Sequence, residues 1–391
     1  MSITAPNPQA ASSRPRVGIV GAGQLARMTA QAAIDLGIDL VTLASSSADP
    51  AIAACADHVV GPPSSLAALI ELAGRVDVVT FDHEHVPSGL ARSLVNRGSV
   101  VRPGPAALEL VQDKLVARAD LAAAQFPVPA FAPLDGDPVA GVSAFAADHG
   151  WPVVAKARGG GYDGRGVALI AGPADAAFLA DVPPGSWYVE AHVPFVRELA
   201  VVLARRPSGE VASYPLVETV QQDGICVELL MPAPVDRAVA GRATSLAVAL
   251  ANGVDAVGIV AVELFLLENG GLVVNELAVR PHNSGHGTIE GTVTSQFENH
   301  LRAVLDWPLG STDLMAPAVA MANVLGDPAG GDPMRRLPRA LTVPGAHVHL
   351  YGKSFAPGRK LGHVTVTGAD MAEARAAAQR CTAILTGSTI G

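Results

Sequence analysis

Two apolar runs joined by a short polar turn constrain the fold of this chain more than any other feature. The runs at 261–267 and 272–277 are almost wholly apolar, and Glu-Asn-Gly-Gly at 268–271 connects them. Asn-Gly is the preferred pair for a two-residue type I′ turn, so the sequence predicts an antiparallel hairpin with Asn-Gly as its loop. In the register counted from that loop, Glu263 lies opposite Glu276.

The opposed glutamates predict a cation site. Directly opposite side chains in a sheet have Cβ atoms about 5 Å apart, and two like charges at that distance repel. A cation between them would remove the repulsion, and oxygen-only ligands suit magnesium, with manganese as an alternative. We therefore predict Glu263 and Glu276 as metal ligands. The alternative is two solvated glutamates on an exposed edge, and a one-residue slip in register would place them on opposite faces.

A lysine strand followed by a glycine-rich loop predicts a phosphate site. Lys156 lies in the apolar run 153–157, and five of the nine residues at 158–166 are glycine. Glycines allow successive backbone N–H groups to point at one anion, and a nearby lysine supplies a full charge. The loop is not a P-loop, because no Gly-Lys-Ser/Thr follows it. The alternative is a flexible hairpin loop, which has little use for the Tyr, Asp and two Arg among these glycines.

The first hundred residues predict a parallel sheet covered by helices. A short apolar run at 16–20 leads through Gly-Ala-Gly at 21–23 into an Ala-rich helix. Further apolar runs follow at 40–43, 76–81 and 99–101. The glycine turn fits a dinucleotide fingerprint, but the acidic residue expected at the end of the second strand is missing. This leaves either a turn that needs glycine for packing alone or one that receives another phosphate.

Changes of pattern divide the chain into four parts. We predict a flexible tail over 1–15, an α/β domain with a parallel sheet over 16–104, an α+β domain over 105–305 and a small third domain over 306–391. The second domain opens with a single helix over 105–124 and is antiparallel at its centre.

Composition excludes several classes of protein. The chain of 391 residues is 49% hydrophobic and 16% charged, with a formal net charge of −9, which argues against disorder and against nucleic acid as a partner. Its longest apolar stretch, 246–262, is broken by polar residues and glycine, so no membrane span is expected. Three cysteines without zinc-site spacing indicate free thiols in a reducing compartment, and we expect a cytoplasmic protein.

A polar cluster follows the second glutamate. Residues 279–287 contain an arginine, two histidines, an asparagine and a serine, which is more polar chemistry than a connector needs. Either histidine alone would more often be a structural hydrogen-bonding group, but the position of the cluster after the predicted metal pair favours a functional site. Asp-His-Glu-His at 82–85 looks like a zinc cluster, yet it ends a parallel strand, where ligand-binding loops gather.

Together these motifs resemble the ATP-grasp superfamily and, within it, the 5-(carboxyamino)imidazole ribonucleotide synthetases. The motifs that carry the resemblance are GAGQL at 21–25, GGYDGRG at 160–166, YPLVE at 214–218, DGI at 223–225, HNSGH at 282–286 and PGRKLGH at 357–363. The sequence departs from the family's usual residues at Ala26, Gln221 and Pro281, where Gly, His and Val are common. The resemblance runs from about residue 16 to the last helix.

The resemblance implies a fold and an activity. The fold is an ATP-grasp domain with an N-terminal pre-ATP-grasp domain and a small C-terminal domain. The activity is ATP-dependent phosphorylation of bicarbonate to carboxyphosphate, followed by carboxylation of the amine of 5-aminoimidazole ribonucleotide. The products are 5-(carboxyamino)imidazole ribonucleotide, ADP and phosphate, in purine biosynthesis. ATP, Mg²⁺ and bicarbonate are thus expected ligands, and a homodimer is the expected assembly.

The resemblance also assigns residues to these ligands. Its ATP-binding positions are Lys114, Lys156, Gly161, Gly164, Glu190, Ala191, Val193 and Glu198, with Glu190 and Glu198 around the ribose. Its ribonucleotide-binding positions are Gln24, Glu84, Tyr162, Asp163, Arg165, Asn283, Lys353, Arg359 and Lys360. Arg280 would bind bicarbonate and carboxyphosphate, because its guanidinium matches a planar oxyanion. His282 would act as a proton acceptor or as a positioning group for the amine.

Three other functions stay open. A formate-using ribonucleotide transformylase or a biotin carboxylase would keep the ATP residues and change the acceptor. A dehydrogenase built on the first domain is disfavoured by the missing acidic residue. A nucleotide sensor without catalysis would have no need of Lys156, the glutamate pair and Arg280 together.

Overall fold

A computed structural model describes residues 14–160, 166–327 and 331–387. The predicted tail, residues 1–15, lies outside the described residues except for its last two. Within the described part of the chain, no helix combines the length and the apolar character that a bilayer span needs. No disulfide joins the three cysteines, all of which lie in described segments.

The N-terminal part is a parallel sheet flanked by helices. Its elements are β1 (Arg16–Val20), α1 (Gln24–Asp35), β2 (Asp39–Ala44), β3 (Asp57–Val60), α2 (Leu66–Ala73), β4 (Val78–Phe81) and α3 (Ser88–Asn96). The strands lie in the order β3-β2-β1-β4 and every pair is parallel, which confirms the predicted sheet. The apolar run expected at 99–101 contributes only an isolated bridge between Val79 and Val101.

The prediction of a single helix over 105–124 is wrong, because the segment forms two helices. They are α4 (Pro105–Gln112) and α5 (Lys114–Ala123). Asp113 lies between them in an extended conformation, with φ −121° and ψ 105°. Its carboxylate accepts hydrogen bonds from the amides of Leu115 and Val116 at 3.0 and 3.2 Å, which caps the second helix. An N-cap inside a periodic apolar run therefore splits the helix.

A small antiparallel sheet follows. Its elements are β5 (Phe131–Pro133), α6 (Pro138–His149), β6 (Val153–Ala157), β7 (Val167–Ile170) and β8 (Trp187–Ala191). The strands lie in the order β5-β8-β6-β7. Lys156 on β6 pairs with Tyr188 on β8, so Glu190, two residues further on, emerges on the same face as Lys156. The sheet thus presents a cation and an anion side by side.

A nine-stranded antiparallel sheet forms the rest of the chain. Its elements and helices are β9 (Phe195–Arg205), β10 (Val211–Ser213), β11 (Val217–Gln222), β12 (Ile225–Met231), α7 (Arg237–Gly253), β13 (Gly258–Leu267), β14 (Leu272–Ala278), α8 (Thr288–Gly291), α9 (Gln296–Val304), β15 (Ala318–Leu325), α10 (Leu337–Ala340), β16 (Ala346–Leu350), β17 (Lys360–Gly368) and α11 (Met371–Thr386). The strand order is β14-β13-β9-β11-β12-β15-β17-β16, with β10 paired to β9. Because β12 pairs with β15, the sheet crosses the domain boundary predicted near residue 305. The division into a second and a third domain at that residue stays a prediction.

Helix α9 joins the parallel sheet to the large sheet. Leu301 and Val304 pack into the apolar core of the N-terminal part. His300, fully buried, lies with Nε2 2.8 Å from Thr80 Oγ1 of β4, and its Nδ1 accepts from the Ile259 amide of β13 at 3.1 Å. Because Nδ1 accepts, Nε2 carries the ring proton and donates it to Thr80. Burial lowers the pKa of His300 to about 3, so the ring is neutral.

Candidate active site

A cleft of about 1650 Å³ opens where the three sheets meet. Every predicted site residue in the described segments lines it: Gln24, Glu84, Lys114, Lys156, Glu190, Ala191, Val193, Glu198, Glu263, Glu276, Arg280, His282, Asn283, Lys353, Arg359 and Lys360. Five further predicted residues lie outside the described residues: Gly161, Tyr162, Asp163, Gly164 and Arg165. The fold thus brings residues from distant parts of the sequence to one cleft, while the individual roles stay predictions.

The turn of the predicted hairpin differs from the expected one. The Gly270 amide donates to the Leu267 carbonyl at 2.9 Å, and Gly270 has φ +80°. Asn269 does not have a positive φ, which a type I′ turn requires at both central residues. The loop is therefore three residues long, and Leu266 pairs with Leu272. By itself this loop would shift the register by one residue from the prediction.

A β-bulge restores the predicted pairing of the glutamates. Leu264 pairs with Val274, but the next pair is Glu263 with Glu276, so Asn275 is an extra residue in β14. An extra residue shifts the register by one, which cancels the offset from the longer loop. Glu263 therefore pairs with Glu276 as predicted, through two shifts that the turn residues did not indicate, and both side chains line the cleft.

The two glutamates lie in different electrostatic environments. Lys114 Nζ lies 2.5 Å from Glu276 Oε1, and although desolvation opposes it, this cation holds the pKa of Glu276 below its ordinary value. Desolvation in the cleft, together with the charge of Glu276, raises the pKa of Glu263. Asn275 Nδ2 lies 3.5 Å from Glu263 Oε2, and His282 Nε2 lies 3.7 Å from Oε1. Two converging carboxylates form an oxygen-only donor set that fits a divalent cation such as magnesium.

Lys156 is held by a buried carboxylate. Its Nζ lies 2.8 Å from Glu190 Oε2 and donates to Asn275 Oδ1 at 3.2 Å. Glu190 Oε1 accepts from Arg118 Nε at 2.7 Å and from the Tyr188 hydroxyl at 2.9 Å. Burial acts to raise the pKa of Glu190, but the charges of Lys156 and Arg118 outweigh it and hold the pKa below its ordinary value. Both oxygens of Glu190 thus already accept from protein groups, and its contact with a ribose stays a prediction.

Arg280 crosses between the large sheet and the parallel sheet. Its Nε donates to Glu84 Oε2 at 2.8 Å, and its Nη1 donates to the Pro281 carbonyl at 3.0 Å. Arg280 and Glu84 are 196 residues apart in sequence. The carboxylate therefore orients the guanidinium at the wall of the cleft.

His282 is fixed by its own loop. Its Nδ1 accepts from the Ser284 amide at 3.3 Å and lies 2.8 Å from Ser284 Oγ. Burial, followed by the positive charges of Arg280 and Lys360, lowers the pKa of His282 to about 3. With Nδ1 engaged as an acceptor, the neutral ring carries its proton on Nε2, the nitrogen nearer to Glu263.

Cations from the C-terminal region face the N-terminus of α1. Lys353 Nζ donates to Gln24 Oε1 at 2.5 Å and lies 5.7 Å from the centroid of the Tyr351 ring. Arg359 Nη1 donates to the carbonyl and to the hydroxyl of Ser354 at 2.9 and 2.7 Å. This end of the cleft therefore carries positive charge suited to an anionic group.

The Gly-Ala-Gly turn before α1 accommodates a carboxylate of the protein itself. A Cβ on Gly21 would lie 1.7 Å from Asp82 Oδ1, and Gly21 has φ +106°. Asp82 Oδ2 accepts from the Gly23 amide at 2.9 Å. Of the two interpretations that the sequence left open, close packing explains the glycine at 21. In the described segments, which include 82–85, no group of three or more His, Cys, Asp or Glu residues is placed to hold a metal.

Several residues of the site were not predicted from the sequence. Arg118 contacts Glu190 from α5, and its only sequence signal is its position four residues after Lys114, on the same helix face. Asn275 and Glu276 are the two polar residues of β14, and the first of them is the extra residue of the bulge. Phe195 and Phe265 stack at a centroid distance of 4.5 Å with 7° between their planes, and both line the cleft.

A lysine-bearing antiparallel sheet facing a larger sheet with paired glutamates defines an ATP-grasp enzyme. Family models match this chain as an ATP-grasp domain over 119–297, a ribonucleotide synthetase preATP-grasp domain over 15–112 and a phosphoribosylaminoimidazole carboxylase C-terminal domain over 319–377. The N5-carboxyaminoimidazole ribonucleotide synthase of Mycobacterium tuberculosis is 49% identical over 367 residues, which cover 92% of this chain and 85% of that protein. The chain belongs to the N5-carboxyaminoimidazole ribonucleotide synthase family.

Solved structures are similar over nearly the whole chain. Carboxyaminoimidazole ribonucleotide synthase from Aspergillus clavatus, complexed with ATP, is 34% identical with a TM-score of 0.88, and the match covers 96% of this chain and 99% of that chain. A structure of the synthase from the same organism with ADP and 5-aminoimidazole ribonucleotide gives 32% identity, a TM-score of 0.88 and coverage of 95% and 98%. The predicted fold class and the predicted ATP-dependent carbon–nitrogen ligase of purine biosynthesis are confirmed.

Proposed function

We propose that this chain uses ATP to activate bicarbonate and transfers the carboxyl group to the amine of 5-aminoimidazole ribonucleotide. The observation that carries the proposal is the gathering of Lys156, a glutamate pair, Arg280 and a C-terminal cation cluster around one cleft. The products are 5-(carboxyamino)imidazole ribonucleotide, ADP and phosphate. The names of the relatives support the same reaction.

ATP occupies the side of the cleft between the small and large sheets. Lys114 and Lys156 bind its phosphates, the backbone of 191–193 binds the adenine, and Glu198 binds the ribose. The glycine-rich loop, with Gly161 and Gly164, covers the phosphates and excludes water that would hydrolyse the intermediate. Glu263 and Glu276 would hold magnesium, with manganese as a substitute, and the bound cation would supply positive charge that offsets the charge of the ATP phosphates.

Arg280 binds bicarbonate and then carboxyphosphate. A guanidinium presents a planar set of donors and keeps its charge at every physiological pH. Glu84 accepts a hydrogen bond from Arg280 Nε and so fixes the orientation of the guanidinium. The N–H groups on the other edge of the guanidinium are therefore oriented by the protein and not by the substrate. Donors aligned in advance stabilise the charge that develops during transfer without reorganisation.

His282 positions the acceptor amine. Its Nδ1 accepts from the Ser284 amide, so its Nε2 presents a proton to the cleft and donates rather than accepts. Ser284 holds the ring in this orientation at 2.8 Å. The amine attacks the carboxyl carbon of carboxyphosphate, the bond from that carbon to the phosphate oxygen breaks, and the departing phosphate accepts the proton that the amine loses.

The ribonucleotide lies at the end of the cleft bounded by α1 and the C-terminal cations. Lys353 and Arg359 bind its 5′-phosphate, which is the ligand group that their charge suits. The further contacts are Gln24, Glu84, Asn283, Lys360 and, from the glycine-rich loop, Tyr162, Asp163 and Arg165.

The test is ADP release by the purified protein with Mg²⁺ and ATP, adding or omitting bicarbonate and 5-aminoimidazole ribonucleotide. Full turnover is expected only with both, and slower ADP release without the amine, because no acceptor then draws the intermediate forward. Formate with glycinamide ribonucleotide tests the transformylase alternative in the same assay. Turnover with formate and none with bicarbonate would overturn the proposed acceptor chemistry and leave the ATP-grasp class intact.

We also propose that the protein acts as a homodimer in the cytoplasm. The homodimer rests on the family resemblance, and the cytoplasmic location rests on the reduced thiols that the cysteine count predicts. Sedimentation equilibrium measures the first, because a homodimer has twice the chain mass of 39.8 kDa. Fractionation of the source cells measures the second.

A further inference from the structure

Arg118 is a buried arginine with a partner on each nitrogen of its guanidinium. Only 4% of the residue is exposed. Its Nε donates to Glu190 Oε1 at 2.7 Å, its Nη1 to the Val274 carbonyl at 2.8 Å and its Nη2 to the Asn275 carbonyl at 2.8 Å. It is absent from the described residues that line the cleft, so it acts on the site through these partners.

The two carbonyls belong to the β-bulge. Asn275 is the extra residue of the bulge, and Val274 precedes it. A bulge leaves the extra residue outside the ladder of hydrogen bonds, and β14 is an edge strand of the described sheet. Carbonyls on such an edge need donors from elsewhere, and the Arg118 fork supplies them to two successive residues. The guanidinium therefore fixes the bulge that places Glu276 opposite Glu263.

The same guanidinium fixes the phosphate-binding lysine. Glu190, its third partner, holds Lys156 Nζ at 2.8 Å through the other carboxylate oxygen. The Asn275 side chain also accepts from Lys156 and lies 3.5 Å from Glu263. Arg118 thus connects the small sheet, which carries Lys156, to the edge of the large sheet, which carries the glutamates.

We propose that Arg118 is a positioning residue that sets the distance between Lys156 and the glutamate pair. The inference rests on the proposed roles of Lys156 in binding ATP phosphate and of Glu263 and Glu276 in binding metal. A lysine at 118 would keep a charge beside Glu190, but a single ammonium cannot reproduce a planar fork that reaches Glu190 and two carbonyls. The fork, and not only the charge, is therefore required.

The test compares Arg118→Lys and Arg118→Met with Arg205→Lys as a matched control. Arg205 is similarly buried, at 7% exposure, and donates to Asn252 Oδ1 at 2.9 Å and to the Ala256 carbonyl at 3.2 Å, outside the described lining of the cleft. For each purified variant we would measure the unfolding midpoint, Mn²⁺ binding in the presence of ATP by electron paramagnetic resonance, and kcat and KM for each substrate.

We expect Arg118→Lys to fold, to bind Mn²⁺ with ATP at least 10-fold more weakly and to lose at least 10-fold in kcat. The KM for 5-aminoimidazole ribonucleotide should stay within about twofold, because the hydrogen bonds of Arg118 in the described part of the chain go to Glu190, Val274 and Asn275 and not to residues at that end of the cleft. Arg118→Met should bind Mn²⁺ more weakly and have a lower kcat than Arg118→Lys. Arg205→Lys should lower the unfolding midpoint to a similar extent and leave Mn²⁺ binding and kcat unchanged.

Three outcomes would overturn the inference. They are wild-type Mn²⁺ binding and kcat in Arg118→Lys, equal losses in Arg205→Lys, and failure of Arg118→Lys to fold while Arg205→Lys folds. Glu276→Gln in the same assay separates this inference from the proposed metal site. If Glu276→Gln binds Mn²⁺ as the wild type does, the metal assignment itself is wrong, whatever Arg118 does.

Discussion

Asp113 and Arg158 form a bidentate ion pair that joins the helix bearing Lys114 to the glycine-rich loop. Arg158 Nη2 lies 2.6 Å from Asp113 Oδ2, and Nε lies 3.1 Å from Oδ1. The Lys114 amide also donates to the Arg158 carbonyl at 2.8 Å. Burial acts to raise the pKa of Asp113, but Arg158 and the capped amides hold it below its ordinary value. One carboxylate thus caps α5 and anchors the start of the loop.

Asp113 variants should separate these two roles. Asn is also a good N-cap, so Asp113→Asn should keep the helix start and lose the ion pair, whereas Asp113→Ala should lose both and about 1 kcal/mol of stability. We expect a several-fold higher KM for ATP in both variants and a lower free energy of unfolding mainly in Asp113→Ala. Denaturant unfolding and steady-state kinetics measure the two effects. An unchanged KM in both would mean that the pair does not orient the loop.

The glutamate pair predicts a defined metal dependence. Glu263→Gln and Glu276→Gln remove one anionic oxygen ligand each, so the Mg²⁺ concentration for half-maximal activity should rise at least 10-fold and kcat should fall. Glu268→Gln, in the exposed loop of the same hairpin, is the matched control and should behave as the wild type. Titration of activity with Mg²⁺ gives the answer, and equal curves for all four proteins would remove both glutamates from the metal site.

The C-terminal cations predict a selective loss of ribonucleotide affinity. A hydrogen bond to a charged group contributes about 1.5–3 kcal/mol, so Lys353→Ala or Arg359→Ala should weaken that affinity roughly 10- to 150-fold. ATP affinity should barely change, because these residues lie at the other end of the cleft. Arg375→Ala, which removes a cation paired with Glu228 outside the described lining, is the control. Isothermal titration with each ligand measures the difference, and a parallel loss for ATP would contradict the assignment.

We predict that the folded chain loses stability in mild acid, because His300 is buried as a neutral ring. Its pKa is about 3 in the folded chain and about 6.5 in an unfolded one. Because the pKa of His300 is lower in the folded chain, its contribution to the free energy of unfolding is complete well above pH 6.5. That contribution is lost as pH falls from 6.5 towards 3. Between pH 7.5 and 5.5 this one residue should remove about 1.4 kcal/mol of stability. Urea unfolding at both pH values should give a correspondingly smaller pH dependence for His300→Gln than for the wild type, and equal dependence would refute the assignment.

We predict that a methyl group added at Gly21 lowers the free energy of unfolding more than one added at another glycine with positive φ. Gly21→Ala and Gly37→Ala both introduce a side chain at positive φ, but a Cβ at 37 meets nothing within 4 Å, whereas one at 21 meets Asp82 Oδ1. Gly21→Ala should therefore cost roughly 1–3 kcal/mol more than Gly37→Ala. In a double-mutant cycle, Asp82→Ala should recover part of that difference. Similar unfolding free energies for the two glycine variants would show that Asp82 simply moves aside.

Local patterns determined much of the secondary structure. The strand Arg16–Val20 has the predicted bounds, because it is a short apolar run that ends at the Gly-Ala-Gly turn. The parallel sheet at the start also followed from alternating apolar runs and helical spacing. The motifs that identify the family are contiguous in sequence, so a single chain suffices to recognise them.

Tertiary structure decided what local patterns could not. The Glu263–Glu276 pairing was predicted, but it depends on a longer loop and a bulge whose one-residue shifts cancel. Neither shift has a strong local signal, because a turn and an edge strand take the geometry that their packing partners allow.

The contacts that organise the site join residues far apart in the chain. Arg118 reaches Glu190 and β14, 72 and 156 residues further on, and Arg280 reaches Glu84 across 196 residues. The sequence by itself determined which chemical groups are present and which short segments carry them. Only the folded chain decided which of these groups meet, because a buried charge is stable only beside a partner, and the packing of the sheets selects that partner.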